Sequence, residues 1–300
     1  MNPLVWLENL VSWILVFFHG LTSIPFDKDS GWSWGLAIVA LVILIRILLI
    51  PLFVKQIKSQ RNLQIIQPQV KEIQKKYAGD RERQSQELMK LYKETGTNPL
   101  ASCLPILAQA PIFFALFTVL NGLAQNKTRG VLTVELMESA RNAEILGAPI
   151  YGTFLRRSET ASPSTTLWVT VLLIFLMTAT TFISQRQLIV KNTAPGNPMV
   201  QQQKILLYVF PVIFAVSGIN FPIGVLLYWF TTNVWTMGQQ FYVIRNSPQP
   251  DTPAYKALME RKARKAAKKN KGQVDQAPEQ PEQPTKQARN QPKKKKKKKK

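Results

Sequence analysis

A formal charge of +22 on 300 residues, 46% of them hydrophobic, describes an apolar body with a cationic end. From Arg245 onward there are nineteen Lys and Arg against five Asp and Glu. The lone Cys103 excludes an internal disulfide, and the lone His19 excludes a histidine-rich metal site.

The N-terminus, "MNPLVWLENLVSW", has neither a basic n-region nor a small-residue cleavage motif, so the chain is expected to be unprocessed. Leu4 to Ile24 is apolar enough to span a bilayer, but Glu8, Ser12 and His19 recur at helical spacing as one polar stripe. That pattern favours a helix lying in the interface, residues 1–30, over a span.

The next stretch, Trp34 to Val54, is about 21 residues, ~31 Å of helix, enough to cross a membrane. Within it, "LVILIRILLIPLF" places Arg46 about nine residues before Lys55, ~13 Å by helical rise. The side chain cannot snorkel that distance, so the charge stays at depth. Pro51 denies the helix one backbone hydrogen bond and is expected to bend it near Ile47.

Residues 55–98 are polar and patterned. Ile66, Val70, Ile73 and Tyr77 share one helical face, "AGD" at 78–80 breaks it, and Ser85, Leu88 and Tyr92 repeat a sparse apolar face. The expectation is a helical hairpin outside the membrane. Four further apolar stretches follow: Leu100 to Leu120, Leu167 to Ser184, Ile205 to Ile219 and Pro222 to Ile244. The third, about 15 residues or ~22 Å, is short for a hydrocarbon core of ~30 Å and is expected to begin earlier, in "MVQQQK". The loops on the hairpin's side, with the tail, hold thirty-two Lys and Arg against six on the other side. This asymmetry puts hairpin and tail in the cytosol and the residues before Trp34 outside.

No Asp or Glu falls in the other four spans, so Arg46 lacks an internal carboxylate partner. Gln109, Thr178, Thr180, Thr181, Ser184, Thr231, Thr232 and Asn233 are the polar groups able to share a hydrated groove with it. Tyr228 and Trp229 are expected at its lipid-facing exit, with interhelical packing as the other reading. Pro105, Pro111 and Pro211 are expected to bend helices, and Cys103 to pack. No nucleophile, base or metal cluster points to an enzyme, and no cofactor is expected.

In the tail, residues 246–300, "RKARKAAKKNK" and "KKKKKKKK" flank a Pro/Gln/Glu-rich stretch, and low hydrophobicity with like charge argues for disorder. A solubilising role, attraction to anionic lipids and attraction to ribosomal RNA remain open readings.

Two long blocks carry a resemblance. "ELMKLYKETGTNPLASCLPILAQAPIFFALFTVL" (87–120) and "PVIFAVSGINFPIGVLLYWFTTNVWTMGQQ" (211–240) resemble the signature regions of the YidC family of membrane protein insertases, and "IRILLIPL" is similar to its arginine-bearing span. The likeness covers roughly residues 30–245 and resembles the compact form of the family, without a large external domain. It departs at Val42 and Ile47, where some members have a small hydroxyl residue and a glycine.

The resemblance implies an all-α polytopic membrane protein. Five spans in a core of residues 31–245 surround a groove open to cytosol and lipid, with Arg46 as its charge. It implies insertion and chaperoning of nascent membrane proteins, alone or with the Sec translocon, and tips the tail toward the ribosome. A small-anion transporter using Arg46 is the competing class; five spans without an internal repeat argue against it. A membrane-anchored nucleic-acid-binding protein would leave the spans and hairpin unexplained.

Overall fold

The computed structural model describes residues 3–96, 104–192, 199–248, 250 and 252–274. Its helices are α1 (Pro3–Thr22), α2 (Gly31–Leu48), α3 (Ile50–Ile65), α4 (Gln67–Lys76), α5 (Arg81–Glu94), α6 (Leu104–Ala124), α7 (Val134–Asn142), α8 (Pro163–Asn192), α9 (Met199–Gly218), α10 (Ile223–Asn246) and α11 (Pro253–Val274). A two-stranded hairpin, β1 (Glu144–Ile145) and β2 (Ala148–Pro149), lies between α7 and α8. Leu146 and Gly147 turn it with φ of 54° and 77°, the left-handed pair a tight hairpin needs. The chain divides into two compact units after Leu258.

Among the described residues, Leu4–Thr22, Gly31–Leu48 and Pro163–Lys191 are long and apolar enough to cross a membrane, and Gln109–Ala124 and Leu207–Gly218 are shorter apolar helices. Several of these helices turn large apolar groups outward: Trp168, Phe175, Val212 and Val216 are each more than 60% exposed. In water such surfaces would be buried; around a bundle they suit lipid.

The expected single helix from Trp34 to Val54 is two segments, broken at Leu49. Pro51 has no N–H for the Ile47 carbonyl, so the regular ladder cannot pass this point. Leu49 N still donates to Ile45 O (3.0 Å), and Phe53 N to Leu49 O (3.1 Å), so helix resumes at once. Within residues 55–98, α4 packs on α5, and Asp80 caps α5 by accepting from Arg83 N at 2.9 Å. α9 does begin in "MVQQQK", at Met199.

The tail corrects the expectation of disorder from 246 onward. α10 runs through Asn246, and residues 253–274 are helical. Thr252 caps α11 by accepting from Tyr255 N (3.2 Å), and Pro253 occupies the first helical position. Ala, Leu, Met, Glu, Lys and Arg then dominate, the strongest helix formers, and this local propensity outweighs like-charge repulsion. Residues 275–300, with the lysine run, lie outside the described residues.

The apolar core sits at one end of the bundle. Val11 and Leu15 of α1, Trp34 to Ile45 of α2, Ala115 to Leu123 of α6 and Val225 and Tyr228 of α10 close around Leu132, Met137, Ala140 and Ile150 from the segment between α6 and α8. That segment caps α10: Ile223 N donates to Gly152 O (2.9 Å) and Gly224 N to Ile150 O (3.0 Å), satisfying amide groups that a helix start leaves open. Trp34, 1% exposed, donates its indole N–H to Ser139 Oγ (3.1 Å), which donates to Lys28 O (3.1 Å).

Candidate functional site

Ile38, Leu41, Val42 and Ile45 form the buried stripe of α2, and Arg46 continues it by one position. The spacing that packs the core therefore also turns Arg46 inward, where it is 6% exposed. Among the described residues that are fully buried, the main core cluster reaches Ile45 on α2, Tyr228 on α10 and Ala115 on α6, with Leu49, Ile112, Phe113 and Trp229 packed against it partly buried. Arg46 thus stands one position beyond the last fully buried apolar residue of α2.

Its surroundings come from three other helices. The Arg46 guanidinium lies 5.6 Å from the centre of the Phe53 ring on α3, within cation–π range. Tyr228 of α10 is its electrostatic neighbour, and among the described residues no carboxylate acts on it. Gln109 of α6 donates through Nε2 to the Tyr228 hydroxyl. Burying a guanidinium without a carboxylate partner is costly, so this arrangement is not what stability alone would select.

Beside Tyr228, Gln109 Oε1 is buried without a hydrogen-bond partner among the described residues, and so, elsewhere on α8 and α10, are Thr178 Oγ1, Ser184 Oγ, Trp235 Nε1 and Gln240 Oε1. All lie on α6, α8 or α10. Each open group of this kind costs ~1–3 kcal/mol unless something polar meets it. The site can hold water or a polar stretch of another chain, and it offers one cation to a carboxylate.

The structure sorts the residues singled out from sequence. Arg46, Gln109 and Tyr228 come together, and Thr232 follows Tyr228 by one turn of α10. Thr181 and Asn233 form a separate seam: Asn233 Nδ2 donates to Thr181 Oγ1 (2.8 Å) and Met177 O (3.2 Å). Thr180 and Thr231 donate to carbonyls of their own helices, at 2.7 Å to Leu176 O and 2.8 Å to Leu227 O, so their hydroxyls are already satisfied. Thr178 and Ser184 keep open hydroxyls on α8.

Trp229 packs among aromatics, with ring centres 4.6 Å from Phe214, 4.9 Å from Phe113 and 6.2 Å from Phe221. It bridges α6, α9 and the start of α10, and shares the Phe113 ring with Tyr228, whose own ring centre lies 6.1 Å from that ring. Pro111 and Pro211 lie inside α6 and α9, while Pro105 sits in the first described turn of α6. Cys103 lies outside the described residues.

Phe53, Trp235 and Gln240 are site residues that the sequence reading missed. Phe53 lies seven residues after Arg46, across the interruption at Leu49, and Trp235 follows Thr232 by three residues on α10, so spacing carried a signal for these two.

The polar stripe of α1 is buried: Glu8, Ser12 and His19 are 6%, 0% and 5% exposed. Ser12 Oγ accepts from Val131 N (2.9 Å), and His19 bonds Lys28 O (2.8 Å) and stacks on Trp34 at 3.9 Å. The stripe reads as a protein-facing seam, and the apolar face, with Trp6, Trp13 and Phe17, points outward.

Residues 25–250 match the model of the 60Kd inner membrane protein family. The chain belongs to that family. A Streptomyces avermitilis protein named membrane protein insertase YidC is 57% identical over 258 residues, 84% of this chain and 60% of that one. A Tropheryma whipplei protein of the same name is 38% identical over 277 residues, 87% of this chain and 89% of that one. The crystal structure titled "Active YidC insertase crystal structure with the first transmembrane domain resolved" shares the fold, with TM-score 0.51 and 24% identity over 79% of this chain and 47% of that one. This chain therefore spans about three fifths of the Streptomyces relative and about half of the solved one. Membership in the 60Kd family, with these apolar helices, makes it a multi-pass cell-membrane protein.

Proposed function

We propose that this chain is a membrane protein insertase and folding chaperone whose working element is the Arg46 layer. One observation carries the reading: a guanidinium 6% exposed, with no carboxylate acting on it among the described residues, beside Tyr228, whose partner Gln109 keeps an open Oε1. A cation held this way attracts an acidic flank. The incoming chain's polar stretch occupies the layer while its apolar stretch moves into lipid, and transfer of that apolar surface supplies most of the driving force. A membrane potential positive outside adds ~2.3 kcal/mol per 100 mV for each negative charge moved outward. No bond is made or broken.

The charge asymmetry sets the direction. The α4–α5 hairpin and the residues after Arg245 face the cytosol, and the cap between α6 and α8 faces outside, closing the groove on that side. α2, α6, α8, α9 and α10 are the five spans. α1 lies along the outer interface, a reading supported by the contacts of Ser12 with Val131 and of His19 with Lys28, both outside the apolar helices. Nascent membrane proteins are the clients, the Sec translocon and the ribosome are cytosolic-side or lateral partners, and anionic lipids surround the bundle.

The test is insertion of a small single-span client with an acidic flank into liposomes containing the purified protein. Protease-protected client should depend on the protein. Equal insertion into protein-free liposomes would reject the proposal.

A further inference from the structure

α11 is a basic helix whose apolar side is uncovered. Tyr255, Leu258, Met259 and Ala266 recur at helical spacing, and Tyr255 and Met259 are 37% and 49% exposed. Lys256, Arg261, Arg264, Lys265 and Lys268 occupy the flanks and opposite side, against one acid, Glu260, while Lys262 falls within the apolar side. A lysine there is compatible with a membrane surface, because its methylene stem lies along apolar material while the ammonium reaches back to water. A packed protein interface would have to desolvate it. The helix also starts only six residues after α10 ends, within about 20 Å of extended chain.

We propose that α11 lies in the plane of the membrane on the anionic inner leaflet, with Tyr255, Leu258 and Met259 in the headgroup–acyl boundary and its Lys and Arg on lipid phosphates. The inference rests on the reading of α10 as a span with its C-terminal end in the cytosol. The occupant is lipid because the apolar edge has a use there. The phosphate backbone of RNA would satisfy the charges but leave Met259 and Tyr255 in water.

The experiment uses the full-length chain in lipid nanodiscs with Cys103→Ser, carrying a fluorophore at Met259→Cys or, separately, Arg264→Cys. In discs of equal parts phosphatidylglycerol and phosphatidylcholine, the 259 label should be quenched by shallow spin-labelled lipid and shielded from aqueous iodide, while the 264 label stays open to iodide. Pure phosphatidylcholine should abolish the difference. Lys262→Glu with Lys265→Glu should weaken the association by more than tenfold, since each basic residue near an anionic surface contributes about fivefold. Iodide reaching the 259 label freely in both lipids would overturn the proposal. So would shielding that appears only when an oligouridylate RNA is added, which would make nucleic acid the partner. Client insertion measured with the same protein separates the two readings: normal insertion with an exposed 259 label sinks the lipid contact alone, and a lipid-shielded label without insertion sinks the insertase reading alone.

Discussion

Replacing Arg46 with alanine should separate function from stability. The guanidinium is 6% exposed and, among the described residues, has no carboxylate acting on it and meets Phe53 at 5.6 Å and Tyr228. Its removal deletes a cation–π contact of ~1–2 kcal/mol and relieves a depth penalty of ~2.5–3.5 kcal/mol. The bundle should therefore be at least as resistant to heat as the parent in the same detergent.

Function should move the other way. A client carboxylate held at about 6–8 Å in an effective dielectric near 20 feels ~2–3 kcal/mol of attraction, worth about 30–150-fold in occupancy of the site. Protease-protected insertion of an acidic-flanked client should fall accordingly, and a neutral-flanked client should fall much less. Arg46→Lys keeps the charge and loses the planar fork, so it should be milder. The reasoning is wrong if the alanine variant melts well below the parent, as a broken buried ion pair would, or if acidic and neutral clients lose equally.

Three other substitutions probe the frame. Ser139→Ala leaves the buried Trp34 N–H, now 3.1 Å from Ser139 Oγ, without a partner and should cost ~1–3 kcal/mol, read as a lowered thermal midpoint. Gly130→Ala places a Cβ 2.0 Å from Ser12 Oγ at a residue with φ of 62°, so α1 should detach from the cap and become open to added protease; unchanged protection would refute the Ser12 seam. Asn233→Ala removes the Thr181 bond between α8 and α10, but the Thr181 hydroxyl also donates to Met177 O at 2.8 Å. A loss of only ~0.6 kcal/mol is expected, and a loss of several would mean that seam is central to the bundle.

What could be read from the sequence was local. Several apolar helices, the Pro51 ring that interrupts the ladder near where a bend was expected, and the turn at 78–80 are properties of neighbours along the chain, though the interruption splits the expected single helix in two. The helix at 253–274 was equally local. It was misread because averaging charge and hydrophobicity over the tail hides a run of strong helix formers behind a threonine cap.

Only packing decided the rest. A polar stripe such as Glu8, Ser12 and His19 has the same spacing whether it meets water or protein, and its burial depends on Val131, Lys28 and Trp34, up to about 120 residues away. Likewise, Tyr228 and Trp229 are adjacent in the chain, yet one helical step of about 100° sends Tyr228 to Gln109 and Trp229 into the aromatic cluster. Which way each side chain turns is fixed by the helices that close around it, and that information is absent from any single segment.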